Sequence, residues 1–355
     1  MRNMFERLLF GPLWGLARKL LTMLLTLLVL LTLTFFLSRM APIDPVLQVA
    51  GDHASQQTYA QVSHELGLDQ PLPLQLGRYL LRLLHGDLGI SSTTAQAVAS
   101  DLARAFPATL ELATYAIVVA SVCGVALALL SALKPGGWLD NLVRCFSLLG
   151  YSVPVFWLGL LGLLLFYARL HWAGGPGQLD DAYLYSLNER SGFILLDSWR
   201  SGDAEILRNA VSHLWLPVLL LAMLSMAGIT RLLRAALLEE CGKEYVTLAR
   251  AKGAGRWRIL WRHVLPNVSG TLVTVLALSY SSLLEGAVLT ETVFAWPGIG
   301  RYLTTALFAS DVAAILGSTL VIGSSFVLLN MLADSLVLLL DPRSRQADIA
   351  HPSSR

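Results

Sequence analysis

The sequence predicts an all-α polytopic membrane protein with six transmembrane helices and a folded segment after the first of them. The first observation is composition: of 355 residues, 55% are hydrophobic and 14% are charged, whereas soluble proteins are about 45–50% apolar. The second is a set of six uncharged windows that are long enough to cross a hydrocarbon core as helices. Because unpaired backbone groups are prohibitive in lipid, each window is interpreted as a helix. The windows are Leu20–Ser38, Leu112–Leu133, Cys145–Ala168, Asn209–Thr230, His263–Leu284 and Val312–Ala333.

Basic residues predict the orientation of these helices. Most of the 26 Lys and Arg fall in segments that share one side if the helices alternate, and such an excess marks the cytoplasmic side. Both termini are therefore expected in the cytoplasm. The net charge of +2 follows from this asymmetry and does not indicate a nucleic-acid partner. The predicted organisation is an N-terminal arm at 1–19, a first helix at 20–38, an outer segment at 39–107, a membrane core at 108–340 with a cytoplasmic loop at 240–266, and a tail at 341–355.

The N-terminal part of the chain contains the first helix and the outer segment. A cleaved signal peptide is the alternative for the first helix, but its apolar run exceeds the usual 7–15 residues and no small-x-small site follows it closely. Within the outer segment, apolar residues recur at helical spacing from Leu74 to Leu84, and Gly86-Asp87 indicates a turn. We therefore expect this segment to fold.

The second helix carries small residues at every fourth position, namely Ala116, Ala120, Gly124 and Ala128. Small side chains let helix backbones approach closely in lipid. This stripe predicts a helix-packing face, although alanine could also be filler there.

The third helix contains Pro154, and the fifth is followed by two carboxylates and a tryptophan. Pro154 removes a helical hydrogen bond and should kink its helix, either to open a translocation pathway or as a tolerated bend. Glu285 and Glu291 are expensive to place in a membrane, so Glu285 is expected either to face a polar vestibule or to pair with Arg301. Trp296 is expected at the membrane–water interface.

The segment Glu244–Pro266 is a polar helix-turn-helix between apolar windows. Its two helical runs meet at Gly253-Ala254-Gly255, where glycine permits a sharp turn, and Pro266 ends the second run. It holds Arg250, Lys252 and three further arginines, too many charges to face lipid. The segment is therefore expected to contact a soluble partner.

The order of Glu244, Ala249, Ala251 and Gly253, followed after nine residues by His263-Val264-Leu265-Pro266, resembles the "EAA" loop of bacterial ABC importer permeases. Tyr245 and Val246 depart from the name-giving alanines. Further phrases resemble the first permease of the peptide and nickel branch of that family, and the likeness spans Phe36 to Arg343 except for the region Asp180 to Asp203. They are APIDP at 41–45, LGLDQPLPLQLGRYLLRLLHGDLGIS at 66–91, FPATLELA at 106–113, SVPVFWLGLL at 152–161 and HLWLPVLLLAM at 213–223.

This resemblance implies the type I ABC importer permease fold and a place in the bacterial inner membrane, with the outer segment in the periplasm. It implies a second homologous permease, two ATPase subunits and a periplasmic binding protein as partners. The substrate would be a peptide or peptide-like compound, or alternatively nickel or a metal chelate. The residues that would couple this chain to the ATPases are Glu244, Ala249, Ala251, Lys252, Gly253, Gly255, Leu265 and Pro266.

Two other classes of protein remain as competitors. The chain has no phosphate-binding loop, because Gly242-Lys243 lacks the preceding glycine at the required spacing. ATP and Mg²⁺ are therefore expected on partner subunits, with no cofactor in this chain. An ion-driven secondary transporter would need charged relays or broken helices deep in the membrane, and Glu285 is the only candidate. For a membrane enzyme, the scattered histidines offer no metal-ligand spacing and no nucleophile stands beside a base.

Overall fold

The computed structural model describes residues 2–39, 45–51, 53–65, 67–184, 186–187 and 191–340, and this part of the chain is mainly helical. The predicted tail at 341–355 lies outside the described residues, as does most of the APIDP phrase. The chain divides into two compact units, Met1–Phe106 with Gly298–Val327 and Pro107–Pro297 with Leu328–Arg355.

The first unit is built from the N-terminal helices and a later pair. Its elements are α1 (Arg2–Arg39), α2 (Pro45–Ala50), α3 (Gln56–Glu65), α4 (Leu72–Leu84), the start of α5 (Val98–Leu133), α15 (Ile299–Phe308) and the start of α16 (Val312–Leu340). Pro71 precedes α4 and a second proline lies in its first turn, where no helical N–H bond is lost. Gly86 follows α4 with φ +78°. The helix and turn expected here are confirmed.

Two small cores hold this unit together. One joins Phe35 of α1 to Tyr79 of α4 and Leu316 of α16. The other joins Val98 and Leu102 of α5 to α15 and α16.

The second unit contains the remainder of α5 and α16 and the helices between them. These are α6 (Trp138–Ser152), α7 (Val155–Gly162), α8 (Asp181–Leu184), α9 (Ile194–Ser201), α10 (Ala204–Cys241), α11 (Glu244–Ala251), α12 (Arg256–Ile259), α13 (Leu265–Asn267) and α14 (Ser269–Val293), with π-helical segments at Leu163–Arg169 and Leu260–Val264. The side chain of Asp203 caps α10 by accepting from the backbone N–H groups of Glu205 and Ile206. Its largest core joins α5, α10 and α14.

The described helices match the predicted windows unevenly. Four are long and apolar enough to cross a membrane, namely Leu21–Arg39, Val98–Leu133, Ala204–Cys241 and Val312–Leu332. The fifth window is a helix pair, Arg256–Asn267 with Ser269–Leu284, bent by 71°. The helix in the third window, Val155–Arg169, is shorter than these. The described residues thus confirm a multi-pass all-α protein with four candidate spans, or five if the bent pair is one span, and the count of six stays a prediction.

The third window, Cys145–Ala168, does not form the single kinked helix that the sequence predicted. α6 ends at Ser152, and Pro154 has extended backbone angles before α7 begins. The physical reason is local, because a proline disfavours helical angles at the residue before it and lacks the N–H that a continuous helix would use.

Proline does not interrupt every helix. Pro107 lies inside α5, which is continuous from Val98 to Leu133. The predicted boundary at 107 therefore falls within a helix.

Trp296 was expected at the membrane interface, but it is fully buried and its indole N–H donates to the carbonyl of Ala108 at 3.0 Å. Glu291 is also fully buried, and it accepts a hydrogen bond from the Thr109 hydroxyl at 2.7 Å.

Candidate functional site

The segment Glu244–Pro266 folds as the predicted helical hairpin. α11 runs from Glu244 to Ala251, and the second arm begins at Arg256 in α12 and continues through the π-helical segment to α13. π-helical segments are rare and are frequently found at functional sites. We call Glu244–Pro266 the coupling hairpin.

The turn of the coupling hairpin is a Schellman motif centred on Gly253. The N–H of Gly253 donates to the carbonyl of Arg250 at 2.9 Å, and the N–H of Ala254 donates to the carbonyl of Ala249 at 3.1 Å. This 5→2 and 6→1 pair closes a helix when the residue after the cap is left-handed. Gly253 has φ +82°, where a residue with a Cβ would be strained, so the turn favours glycine. Ala249 and Ala254 both pack on the core beneath the turn.

The inner face of the hairpin is buried against two long helices. Val246 and Val264 are fully buried, and Ile259 is 2% exposed. They form one cluster with Ala128 and Leu129 of α5 and with Leu233 and Leu237 of α10. Because this core is close-packed, a displacement of the hairpin must be transmitted to the ends of α5 and α10.

The outer face of α11 is accessible. Glu244, Thr247, Leu248 and Ala251 are all exposed, and their spacing places them on one side of the helix. Leu248 is 57% exposed at the middle of this stripe. The stripe therefore presents one large apolar side chain and one carboxylate at the surface.

The second arm exposes a pair of tryptophans. Trp257 and Trp261 are 51% and 55% exposed, and their rings stack with centroids 6.1 Å apart. They are one helical turn apart, beside the exposed Arg258 and Arg262. This arm therefore carries both apolar and cationic groups to the surface.

The structure brings the predicted coupling residues together in this hairpin. Ala249 and Leu265 are half-buried and pack on the inner core. The others are exposed, namely Glu244, Ala251, Lys252, Gly253, Gly255 and Pro266. Their assignment as ATPase contacts stays a prediction.

An ion pair between a buried carboxylate and a half-buried arginine lies next to the hairpin. Asp140, 1% exposed, receives two hydrogen bonds from the Arg234 guanidinium at 2.6 and 2.8 Å and one from the Gly136 N–H at 2.9 Å. Ser131 of α5 donates to the same carboxylate. The Arg234 hydrogen bonds hold the pKa of Asp140 well below its usual range. This network joins α5, the 134–137 turn, α6 and α10 to one another.

Pro154 and Glu285, the two residues predicted for the translocation pathway, lie outside the coupling hairpin. Pro154 is exposed at the start of α7, and Gly159 of α7 packs closely on Val293 and Phe294. The side chain of Glu285 lies outside the described residues, so its predicted pathway role and its pairing with Arg301 stay predictions.

The small-residue stripe of α5 is buried. Ala116, Ala120 and Ala128 are fully buried. At Gly124 an added Cβ would lie 3.0 Å from a methyl of Ile229 on α10. The Thr230 hydroxyl donates to the Gly124 carbonyl at 3.2 Å.

Sequence reasoning missed Leu248, the Trp257–Trp261 pair and the Asp140–Arg234 pair. The tryptophans could have been found from their four-residue spacing among arginines. No local signal joins Asp140 to Arg234, which lies 94 positions further along the chain.

Comparison with known proteins agrees with the organisation of this site. Residues 124–346 match the family model "Binding-protein-dependent transport system inner membrane component". Residues 13–113 match the corresponding N-terminal model, "Binding-prot-dependent transport system membrane comp, N-term". The coupling hairpin lies within the first match.

Three curated relatives cover most of the chain. The probable D,D-dipeptide transport system permease protein of Escherichia coli K12 is 44% identical over 311 residues, which is 88% of this chain and 91% of the relative. The di/tripeptide transport system permease protein of Pseudomonas aeruginosa UCBPP-PA14 is 40% identical, covering 88% and 93%. The dipeptide transport system permease protein of E. coli K12 is 38% identical, also covering 88% and 93%.

Among solved structures, the inward-facing MetNI methionine ABC transporter matches 68% of this chain and 96% of its own, with TM-score 0.49 and 18% identity.

Proposed function

The chain belongs to the family of binding-protein-dependent transport system inner membrane components, and from this premise we propose that it is the permease subunit of an ATP-driven peptide importer. The observation that carries the proposal is the coupling hairpin, which has a buried inner face and an exposed outer face. A multi-pass inner-membrane protein of this family needs such a surface to receive work from a soluble subunit. The type I importer fold is part of the same proposal.

The hairpin can act as a rigid connection between an ATPase and the membrane helices. Closure of the ATPases around ATP would displace the outer face around Leu248. The displacement would pass through Val246 and Ile259 to the ends of α5 and α10, because these side chains share one core. The Asp140–Arg234 pair would keep α6 and α10 moving together. The helices would then rock between outward-open and inward-open states.

The partners in this proposal are two ATPase subunits, a second homologous permease and a periplasmic binding protein. The chain itself would act as a transport subunit rather than an enzyme, with ATP and Mg²⁺ held by the ATPases. Both termini and the coupling hairpin would lie in the cytoplasm, following the distribution of basic residues.

The names of the relatives support dipeptides as the substrate class. Those compared here are named as permeases for D,D-dipeptides, di/tripeptides and dipeptides. The D,D-dipeptide permease has the highest identity of the three, 44%, so D,D-dipeptides are the second candidate beside ordinary L,L-dipeptides.

Uptake by whole cells tests the proposal. The chain would be produced with its partner permease, ATPases and binding protein in cells that lack other peptide importers. Labelled L-Ala-L-Ala and D-Ala-D-Ala would be supplied separately. We expect uptake of at least one dipeptide, and its loss when the phosphate-binding lysine of the ATPases is replaced.

A parallel arm with radioactive nickel addresses the metal alternative. Nickel uptake without dipeptide uptake would replace the peptide assignment by the metal one. Transport by the isolated chain in vesicles under an ion gradient would overturn the ABC mechanism in favour of a secondary transporter.

A further inference from the structure

A cavity of about 680 Å³ lies in the unit formed by Met1–Phe106 and Gly298–Val327. It is enclosed by the C-terminal end of α1, by α4, by the segment 87–92 and by the start of α16. This volume is within the range of small-molecule sites, about 300–1,000 Å³. The cavity belongs to neither the coupling hairpin nor its core.

Three arginines line this cavity. Arg39 is the last residue of α1, and Arg78 and Arg82 are one turn apart on α4. Two carboxylates also line it, but both accept hydrogen bonds from their own surroundings. Asp87 accepts from the Gly89 N–H, and Asp311 accepts from Ser91 and from the N–H of Thr93.

Several polar atoms in the wall have no hydrogen-bond partner within the described chain. They are the Tyr79 hydroxyl, the Gln75 carbonyl oxygen and the Arg39 Nε. Tyr79 is only 6% exposed and Gln75 only 9%. Burial raises the pKa of Tyr79 to about 12, so its hydroxyl keeps a proton to donate. Buried polar groups without partners carry a free-energy cost, and a ligand with acceptor oxygens would remove it for the two donors, the Tyr79 hydroxyl and the Arg39 Nε.

Aromatic stacking holds these donors in place. The ring of Tyr79 stacks on Phe35 with centroids 6.4 Å apart. The Arg39 guanidinium lies over the same Phe35 ring at 5.2 Å. Phe35 is itself 1% exposed. The donors are therefore preorganised, because the packing fixes them before a ligand arrives.

The surroundings of the cavity are apolar and exposed. Leu81 and Ile90 line it and are 59% and 71% exposed. On α1, Leu33 and Leu37 are 58% and 67% exposed. Arg39 ends the candidate membrane span Leu21–Arg39, so the cavity opens where hydrocarbon gives way to the headgroup layer. Arginine and tyrosine are typical of that depth.

We propose that this cavity binds the headgroup of an anionic phospholipid, with the guanidinium groups of Arg78 and Arg82 on its phosphate and its acyl chains along the exposed face of α1. Arginine matches phosphate oxygens with paired N–H donors, which makes it suited to this ligand. The Tyr79 hydroxyl supplies a further donor from the wall.

Photocrosslinking in nanodiscs tests this site. The full chain would be placed in phosphatidylcholine nanodiscs that contain a trace of photoactivatable phosphatidylglycerol, or of photoactivatable phosphatidylcholine in the parallel arm. Labelled peptides would then be identified by mass spectrometry. We expect phosphatidylglycerol to label α4 and the 87–92 segment more strongly than phosphatidylcholine does.

Variants connect the label to the named side chains. Arg82→Gln should lower labelling by phosphatidylglycerol about fivefold, since each basic residue near a membrane contributes about 1 kcal/mol to binding. The double variant Arg78→Gln/Arg82→Gln should lower it about 25-fold by the same reasoning. The lysine pair Arg78→Lys/Arg82→Lys should retain most of it. Arg200→Gln is the matched control, an exposed arginine on α9 far along the chain, and it should change nothing.

A structural role alone would give a different result for Tyr79→Phe. This variant keeps the ring that stacks on Phe35 and removes only the unpartnered hydroxyl. Thermal stability in detergent should stay equal or rise, while labelling falls. This measurement keeps the test valid even if the arginine pair cannot be removed without unfolding.

Three outcomes would overturn the proposal. Equal labelling by the two phospholipids would remove the preference for an anionic headgroup. Displacement of the label by millimolar inorganic phosphate would assign the cavity to a free anion. Displacement by L-Ala-L-Ala would assign it to a peptide carboxylate.

Discussion

The substitution Gly253→Asp should abolish coupling to ATP while leaving the chain folded. Gly253 is exposed at the turn of the coupling hairpin with φ +82°, and no atom lies within 4 Å of the position a Cβ would take. The new side chain therefore meets open space within this chain and projects from the surface that is proposed to meet an ATPase. Steric clash inside the permease contributes nothing to the expected loss.

The cost within the chain can be bounded. A residue other than glycine in the left-handed region costs about 1–2 kcal/mol, and aspartate tolerates it better than most residues do. Domain stabilities are about 5–15 kcal/mol, so folding survives. An unpaired carboxylate desolvated at an interface costs about 2–5 kcal/mol, which corresponds to a loss of about 30-fold to 5,000-fold in ATPase binding.

Gly202→Asp is a matched control for backbone strain. Gly202 ends α9 with φ +74°, and its Cβ position is also open. Both variants should lose the same small amount of thermal stability. We expect Gly253→Asp to lose dipeptide uptake and co-purification of the ATPases, and Gly202→Asp to keep both. Normal uptake with wild-type ATP consumption in Gly253→Asp would refute the coupling role of the hairpin.

Three further predictions concern the same helices. Leu248→Ala should weaken ATPase binding about tenfold, because burying a leucine contributes about 1.5–3 kcal/mol. The control Leu142→Ala removes a leucine of equal exposure on α6 and should leave ATPase binding unchanged. Equal ATPase affinities of the two variants in a titration would contradict the prediction. Gly124→Ala should lower the melting temperature, since its Cβ would meet neighbours at 3.0–3.3 Å and overpacking costs about 1–3 kcal/mol. The control Gly286→Ala adds a methyl group to a helix where the space is open, so it should raise the melting temperature or leave it unchanged. A higher melting temperature for Gly124→Ala than for Gly286→Ala would contradict close packing at Gly124. Asp140→Asn should destabilise the chain by about 3–5 kcal/mol, as expected when one partner of a buried ion pair is removed; an unchanged melting temperature would count against the network.

Local rules succeeded where the determining contacts lie close in sequence. The hairpin turn at Gly253 was predicted because a left-handed residue between two helical runs must be glycine or nearly so. The helix α4 was predicted from its apolar spacing and its flanking turn residues. At Pro154 the same reasoning identified the place but predicted a kink, whereas the structure has a complete break.

The burial of Trp296 and Glu291 could not be predicted, because it depends on contacts between residues that are distant in the sequence. Trp296 carries no local sign that its indole will donate to Ala108, 188 positions earlier, and a tryptophan near a helix end is usually interfacial. From the sequence, Glu291 is expected to carry a high free-energy cost in a membrane helix. In the structure its carboxylate accepts a hydrogen bond from the Thr109 hydroxyl. Burial at these positions depends on which helices become neighbours, and the sequence pattern does not state that.

The sequence by itself determined the class of this protein, its membrane location and the position of its coupling hairpin, because hydrophobic length, charge distribution and turn chemistry act over one or two helical turns. Only the tertiary structure decided which face of the hairpin is buried, which arginine neutralises Asp140 and which side chains enclose the cavity beside α1. Those outcomes depend on close packing between helices that are distant in the chain, and packing free energy is a property of the assembled fold.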